Sequence, residues 1–165
     1  MSQTWSIPVR LTHWLVAASV IVNMFNDTGY WHRMIGYACI VLIVLRAWHG
    51  LHANTIASSR FYCPSMQAIK QHWHELRSET IQSHHGHNPL GQLAVYVMWL
   101  LIVLLGFTGW LSRTDAYWGE DWPVVLHQYL SYALMSMVGL HLVAVAVMSK
   151  LQKKNLIKNM IGGKN

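Results

Sequence analysis

Histidines within apolar stretches are the residues of this sequence that could most clearly do chemistry. Four of them lie inside or at the ends of long apolar runs: His13, His32, His127 and His141. An ionisable side chain in hydrocarbon costs free energy, so an imidazole in such a place usually has a function. Neutral imidazole is a common ligand for metals and haem iron, although a single intramembrane histidine can instead donate a hydrogen bond to a neighbouring helix.

The spacing of the histidines favours pairs at two depths. His127 and His141 are 14 residues apart, so on one helix they differ by about 40° in direction and about 21 Å in height. If the chain crosses a membrane four times, His13 lies at the level of His141, and His32 lies at the level of His127. Two imidazoles at each of two levels is the arrangement that two stacked haems need. Filling both axial positions of an iron leaves no open site for oxygen and favours electron transfer.

The composition indicates that these residues lie in a membrane protein. The chain has 165 residues, of which 53% are hydrophobic and 11% are charged, whereas about 25% of the residues of a soluble domain are charged. Four apolar segments approach the roughly 20 residues that cross a bilayer: about 9–25, 34–51, 90–111 and 124–148. We therefore expect an all-α fold, with one domain over 1–165 that forms an integral membrane four-helix up-and-down bundle enclosing two haems.

The charged residues predict the orientation of the bundle. The formal net charge is +6, but the basic residues lie between and after the apolar runs, so orientation in lipid is a simpler explanation than binding to nucleic acid. The loop 53–89 and the tail 149–165 contain lysines and arginines, which mark the cytoplasmic side. We expect a multi-pass protein with both termini in the cytoplasm. The first apolar run is expected to be retained as a span, because no small-residue cleavage site precedes it.

Arginines near the two histidine levels are candidates for binding haem propionates, which are anionic and need cations or water. Arg10 and Arg46 lie near the predicted cytoplasmic level, and Arg33 and Arg113 lie near the opposite level. The chain has no C-x-x-C-H sequence, so covalent attachment of a c-type haem is not expected.

Other histidines offer alternatives to this ligand set. His49 follows His32 by 17 residues and points about 100° away from it on a helix, so it could replace His13 or lie at an interface. The loop segments QHWH (71–74) and HHGH (84–87) could bind zinc or copper. No cysteine or acidic residue completes a convincing metal-binding spacing there, so a solvated polar loop is the alternative interpretation.

Sequence motifs along the whole chain resemble those of one family. They are VRLTHW (9–14), HRMIGY (32–37), LRAWHG (45–50), HNPLG (87–91), FTG (107–109) and LHLVAV (140–145). In this order and spacing they resemble the bacterial cytochrome b561 family. The most similar branch is that of the b-type cytochrome subunits of nickel-iron hydrogenases and their hydrogenase-free relatives. The resemblance extends over about 7–163, nearly the whole chain.

The resemblance implies a four-helix bundle of the bacterial cytoplasmic (inner) membrane that binds two b-type haems, each through two histidines. It implies electron transfer between the quinone pool and a redox partner, either a hydrogenase-like protein or a c-type cytochrome. Carried over by motif, the haem ligands are the same four histidines: His13, His32, His127 and His141. His49 departs from the family pattern, in which an apolar residue is expected before the glycine.

Three functions are compatible with these residues. The first is a dihaem b-type cytochrome that exchanges electrons with quinone at one membrane face, where His49, His52 and Arg46 are candidate quinone-site residues. The second is a superoxide:quinone oxidoreductase of the same family, which would be an enzyme in its own right. The acidic outer loops disfavour it, because superoxide is an anion. The third is a haem-free, histidine-rich membrane metal-binding protein. It is disfavoured because the third apolar segment contains no charged residue that could line a path.

Overall fold

The part of the chain that can be described is helical. A computed structural model of the chain describes residues 5–52, 65–67, 70, 89–153 and 155–162. It contains α1 (Ile7–Phe25), α2 (Gly29–His52), α3 (Pro89–Leu111), α4 (Trp122–Leu151), the short α5 (Leu156–Ile161) and a 3₁₀ turn at Asp115–Tyr117. Most of the predicted loop 53–89, including the histidine segments 71–74 and 84–87, lies outside the described residues.

Four of these helices, α1 to α4, are long enough and apolar enough to cross a membrane. They coincide with the four predicted apolar segments, so the prediction of an all-α fold with four membrane-spanning helices is confirmed. Some helices extend beyond the predicted bounds, because polar residues at their ends continue the helix. Thus α2 begins at Gly29 rather than at residue 34, so His32 lies within it, and α2 continues past Gly50 to His52.

Prolines begin two of the spanning helices. Pro8 in α1 and Pro123 in α4 lie in the first turn, where the missing backbone N–H costs no hydrogen bond and the fixed φ angle suits a helix. Asp121 occupies the N-cap position of α4, but its side chain accepts no capping hydrogen bond. The start of α4 therefore depends on Pro123 rather than on a carboxylate cap.

Helices that follow one another along the chain pack side by side, α1 on α2, α2 on α3 and α3 on α4. Each of these pairs is antiparallel, so α2 and α4 run in one direction and α1 and α3 run in the other. The centre of the bundle is an apolar cluster of buried residues and the α1 residues packed against them: Cys39, Ile43, Ile102, Leu134, Val16 and Val20. All four spanning helices therefore contribute to one core.

The outward faces of the bundle are also apolar. Val41, Leu100 and Leu142 each expose more than half of their side-chain surface, at 55%, 58% and 63%. A soluble domain rarely leaves such a continuous apolar surface uncovered, whereas lipid tails cover it at no cost. Exposed Trp31 and Trp48 lie toward the two ends of α2, where tryptophan is typically found at the membrane interface.

The core separates two levels of the bundle. Leu134 lies midway between His127 and His141 in α4, seven residues from each. This corresponds to about 10 Å along the helix in either direction. The two histidines of α4 therefore lie above and below an apolar layer to which every spanning helix contributes.

Candidate functional site

His32 of α2 and His127 of α4 lie opposite each other at one end of the bundle. Their ring centres are 6.0 Å apart and their ring planes are inclined at 64°. Both side chains are half-buried. The two residues that the sequence predicts to share a level are therefore brought together.

The same ring nitrogen, Nδ1, makes a hydrogen bond in both histidines of this pair. Nδ1 of His32 lies 2.6 Å from the backbone oxygen of Asn26, and because a carbonyl oxygen only accepts, this Nδ1 carries the proton. Nδ1 of His127 lies 3.0 Å from Oγ1 of Thr108, whose hydroxyl donates to the backbone oxygen of Leu104 at 2.9 Å. In a neutral imidazole, a proton on Nδ1 leaves the lone pair of Nε2 available to a metal.

His13 of α1 and His141 of α4 form a second pair at the other end of the bundle. Their ring centres are 6.4 Å apart and their ring planes are inclined at 49°. Trp14 contacts the His13 ring edge-on, with centres 5.2 Å apart. Nδ1 of His13 is buried and has no hydrogen-bond partner among the described residues. A buried polar nitrogen is normally satisfied, so this imidazole is expected to bind a further group.

The separation within each pair distinguishes metal binding from direct hydrogen bonding. A metal–imidazole bond is about 2.0 Å and the nitrogen lies about 1.15 Å from its ring centre, so two imidazoles on opposite sides of one metal have centres about 6.3 Å apart. Two imidazoles that share a hydrogen bond of about 2.9 Å have centres no more than about 5.2 Å apart. The observed 6.0 Å and 6.4 Å match the first arrangement.

Neither pair belongs to a larger ligand cluster within the described part of the chain. In those residues no group of three or more histidine, cysteine, aspartate or glutamate side chains could hold a metal ion. The donor set at each level is therefore two imidazoles from separate helices. This set suits a metal whose other ligands come from a cofactor, as they do in haem.

Family comparison identifies the kind of protein that carries these pairs. The sequence profile of the family described as prokaryotic cytochrome b561 matches residues 4–163. The chain belongs to this family. Cytochromes b561 are b-type cytochromes, so this member is a multi-pass membrane protein of electron transport whose cofactor is haem b.

Curated relatives of this cytochrome b561 family member bear one printed name, probable Ni/Fe-hydrogenase B-type cytochrome subunit. The protein of Azotobacter vinelandii is 23% identical over 208 aligned positions, which cover 96% of this chain and 86% of the relative. Those of Azotobacter chroococcum mcd 1 and Rhizobium leguminosarum bv. viciae are 24% and 21% identical, with the same coverage. The aligned region is longer than the 165 residues of this chain, so these relatives contain insertions that it lacks. No solved structure matches the chain at a significant level.

The residues of both pairs fit the haem b of this family. Imidazole nitrogens are haem ligands, and the ring separations leave room for one metal between the rings. Hydrogen bonds at Nδ1 leave the lone pair of Nε2 in His32 and His127 available to a metal. Gly109 makes room for the His127 ring, because a Cβ at this position would lie 3.3 Å from Cε1 of that ring.

Arg46 is a buried cation, with 6% of its surface exposed. It follows His32 on α2 by the same 14 residues that separate His127 from His141 on α4. Because α2 and α4 run in the same direction, Arg46 lies at the depth of His141. Tyr96 of α3 lies close enough to Arg46 to interact with it electrostatically. The structure thus puts Arg46 at the histidine level near which the sequence predicts it.

The other candidate arginines differ in their surroundings. Nε of Arg10 donates to the backbone oxygen of Met160 at 3.2 Å, and Nη2 of Arg10 donates to the backbone oxygen of Ile161. Arg33 is half-buried in α2 at the level of the His32 ring, and Arg113 is exposed. The sequence does not predict the contact between Arg10 and α5.

His49 is half-buried in α2, but the ring opposite His141 is that of His13. His52, the last residue of α2, stacks on Trp48 with ring centres 4.3 Å apart. Nδ1 of His52 lies 2.9 Å from the backbone oxygen of Trp48. His49 and His52 therefore lie at the end of the bundle that carries the His13/His141 pair.

Sequence reasoning does not identify the roles of two buried polar residues, Thr108 and Gln92, each with 1% of its surface exposed. Thr108 belongs to the FTG motif, but the motif does not reveal that its hydroxyl meets His127, because this depends on how α3 packs on α4. Nε2 of Gln92 has no hydrogen-bond partner in the described part of the chain. Its position in the first turn of α3 gives no signal of burial, because polar residues are common at helix starts.

Proposed function

We propose that the chain binds two haems b, one between His32 and His127 and one between His13 and His141. The observation that carries this proposal is the separation of the ring centres, 6.0 Å and 6.4 Å. It leaves room for one metal between each pair and is too long for a direct hydrogen bond. When bound, each haem would supply a one-electron couple of ferric and ferrous iron.

The apolar core gives the two proposed sites a common electron path. The two histidines of α4 are about 21 Å apart along the helix, and the intervening layer includes Cys39, Ile102 and Leu134. Ions and protons are costly in such a layer because apolar side chains do not solvate them. We infer that electrons pass between the two levels while protons are exchanged only at the membrane faces.

Arginines at each level are the proposed partners of the haem propionates. Arg46 and Arg10 are the proposed partners of the haem between His13 and His141. Arg33 is the proposed partner of the haem at the opposite level. Arg46 is a buried cation at the depth of His141, where its charge would pair with that of a propionate. A guanidinium has several N–H donors, so Arg10 can contact a propionate while it holds the carbonyl oxygens of α5.

We further propose that electrons pass between the quinone pool and a redox partner in the bacterial cytoplasmic (inner) membrane. Similarity to subunits named for Ni/Fe hydrogenase over 96% of the chain supports a hydrogenase-like partner, and a c-type cytochrome is the alternative. The exposed lysines Lys150, Lys153 and Lys158 support a cytoplasmic C-terminus. His49 and His52 lie at this end of the bundle and are candidates for the quinone site.

The haem content of the purified protein tests the ligand assignment. The wild-type chain is expected to contain two haems b per polypeptide, measured as the pyridine haemochrome. His127→Ala and His141→Ala are each expected to retain one haem, because each removes one ligand from a different pair. His49→Ala is the matched control and is expected to retain both.

Three results would contradict the proposal. A wild-type ratio near one haem per chain rejects the second site. Loss of a haem in His49→Ala, with none lost in His13→Ala, assigns the ligand role to His49. Protein without b-type absorption bands but with stoichiometric zinc or copper would support the haem-free metal-binding alternative.

Quinone reduction in the presence of a superoxide source separates electron relay from superoxide:quinone oxidoreductase activity. Little superoxide-dependent reduction is expected, because the connection between α3 and α4 exposes Asp115, Glu120 and Asp121. These carboxylates repel an anionic substrate from that face. Rapid reduction that superoxide dismutase abolishes would favour the enzyme instead.

A further inference from the structure

Thr108 lies at the packed contact between α3 and α4. Only 1% of its surface is exposed, and its Oγ1 lies 3.0 Å from Nδ1 of His127. The same Oγ1 lies 2.9 Å from the backbone oxygen of Leu104 and 3.2 Å from that of Leu105. One hydroxyl therefore has an imidazole on one side and the carbonyl oxygens of its own helix on the other.

The direction of these hydrogen bonds follows from their chemistry. A hydroxyl has one proton to donate and a carbonyl oxygen can only accept. With Nε2 of His127 as the metal ligand the ring proton lies on Nδ1, so Thr108 accepts from Nδ1–H and donates to the carbonyl oxygen of Leu104. The carbonyl oxygen of Leu105 is a further acceptor beside the His127 ring. The hydrogen bond from Thr108 to its own helix α3 thus keeps the proton of the His127 ring on Nδ1 and the lone pair on Nε2.

We propose that Thr108 is a positioning residue that fixes the orientation and tautomer of His127 and makes its Nε2 a stronger electron donor to haem iron. This inference rests on the proposed ligation of haem by His127. A hydrogen bond from the far nitrogen of a coordinated imidazole raises the basicity of the ligating nitrogen. A more basic ligand stabilises ferric iron relative to ferrous iron, so Thr108 lowers the reduction potential of the haem between His32 and His127.

The two histidine pairs differ in these supporting contacts. His32 has the carbonyl oxygen of Asn26 at its Nδ1, and His127 has Thr108. Nδ1 of His13 has no hydrogen-bond partner within the residues described. The effect of Thr108 is therefore confined to the haem between His32 and His127. The other haem provides an internal reference for the measurement.

The test compares Thr108→Val with Thr108→Ser in the full-length, haem-loaded protein. Valine has nearly the shape of threonine but cannot accept a hydrogen bond, whereas serine keeps the hydroxyl. Ser136→Ala is the control, because Ser136 also donates to a carbonyl oxygen of its own helix but lies on an exposed face of α4. The readouts are the redox titration of both haems and the electron paramagnetic resonance spectrum of the ferric protein.

Thr108→Val is expected to shift the potential of one haem upward and to change the spectrum of that haem alone. Thr108→Ser and Ser136→Ala are expected to titrate like the wild type. In a His141→Ala background, which retains only the His32/His127 site, the same upward shift is expected in the single remaining wave. If Thr108→Val does not accumulate in the membrane, Thr108→Ala replaces it, with the same expected shift.

Two redox results would overturn the inference. One is a Thr108→Val protein that titrates like the wild type. The other is a Thr108→Ser protein that titrates like Thr108→Val. Loss of one haem in Thr108→Val with retention in Thr108→Ser supports it, and loss in both contradicts it. If the wild-type ferric protein lacks a bis-histidine signal, both the proposed ligation and this inference are overturned. The other contradicting results overturn this inference alone.

Discussion

The guanidinium of Arg10, in the first turn of α1, donates a hydrogen bond to the backbone oxygen of Met160, 3.2 Å away in the last helix. A second bond from Arg10 reaches the backbone oxygen of Ile161, and the indole N–H of Trp14 donates to Met160 at 3.2 Å. Side chains of α1 thus satisfy carbonyl oxygens at the C-terminal end of α5, which its own helix leaves free. Arg10 and Trp14 flank His13, so α5 docks beside the proposed haem site of this histidine.

Removing the Arg10 guanidinium is expected to release α5. A hydrogen bond to a charged group contributes about 1.5–3 kcal/mol, so Arg10→Ala is expected to raise the undocked fraction at least about tenfold. Limited proteolysis with trypsin, followed by mass spectrometry, measures this as faster cleavage after the exposed Lys158. Arg113→Ala removes an exposed arginine at the other end of the bundle and is the control. Equal cleavage rates in both variants would show that α5 is held by other contacts.

Gly162 provides a second test of the same contact. Its φ angle is 110°, a conformation that favours glycine, and a Cβ at this position would overlap the Arg10 guanidinium. Gly162→Ala is therefore expected to accelerate cleavage after Lys158. In an Arg10→Ala background the added effect should be smaller, because the overlap is gone and only the backbone strain remains. Full additivity of the two substitutions would contradict this contact.

The heights of the histidines could be predicted from the sequence, but their supporting contacts could not. Long apolar helices have a fixed rise, so the spacing of His127 and His141 sets two levels before any packing is known. The partner of His127 depends on how α3 packs on α4, and no local pattern connects Thr108 to it. The docking of α5 on α1 could not be predicted from the sequence either, because Arg10 and Met160 are 150 positions apart along the chain.

Gly106 allows α2 and α3 to approach closely. A Cβ at this position would overlap the terminal methyl of Ile40. Gly106→Val is therefore expected to destabilise the folded protein by about 1 kcal/mol, the low end of the usual cost of overpacking, because the terminal methyl of Ile40 can rotate away. Thermal unfolding in detergent measures the loss, and Ile40→Ala in the same chain is expected to recover part of it. The matched control is Gly139→Val, because among the described residues no heavy atom beyond its chain neighbours and the adjacent backbone of its own helix lies within 4 Å of a Cβ at that position.

Gly109 makes room for the imidazole of His127. A Cβ here would lie 3.3 Å from Cε1 and 3.5 Å from Nδ1 of the ring, so the ring must move away by a few tenths of an ångström. Gly109→Ala is expected to accelerate the loss of one of two haems to excess apomyoglobin, while the other is retained as in the wild type. Gly139→Ala is the control. Equal acceleration for both haems would indicate a general loss of stability rather than a local effect on His127.

Arg46 tests the proposed role of a buried cation at the level of His13 and His141. A positive charge favours the reduced haem, because reduction adds one negative charge nearby. In general, two unit charges about 10 Å apart interact by about 1.7 kcal/mol at an effective dielectric constant of about 20, which is about 70 mV for a one-electron couple. Arg46→Met is expected to lower the potential of this haem by about that amount, and Arg46→Lys by less. A shift of the His32/His127 haem instead would show that Arg46 acts at the other level. Lys150→Met, which removes an exposed charge, controls for the loss of charge elsewhere.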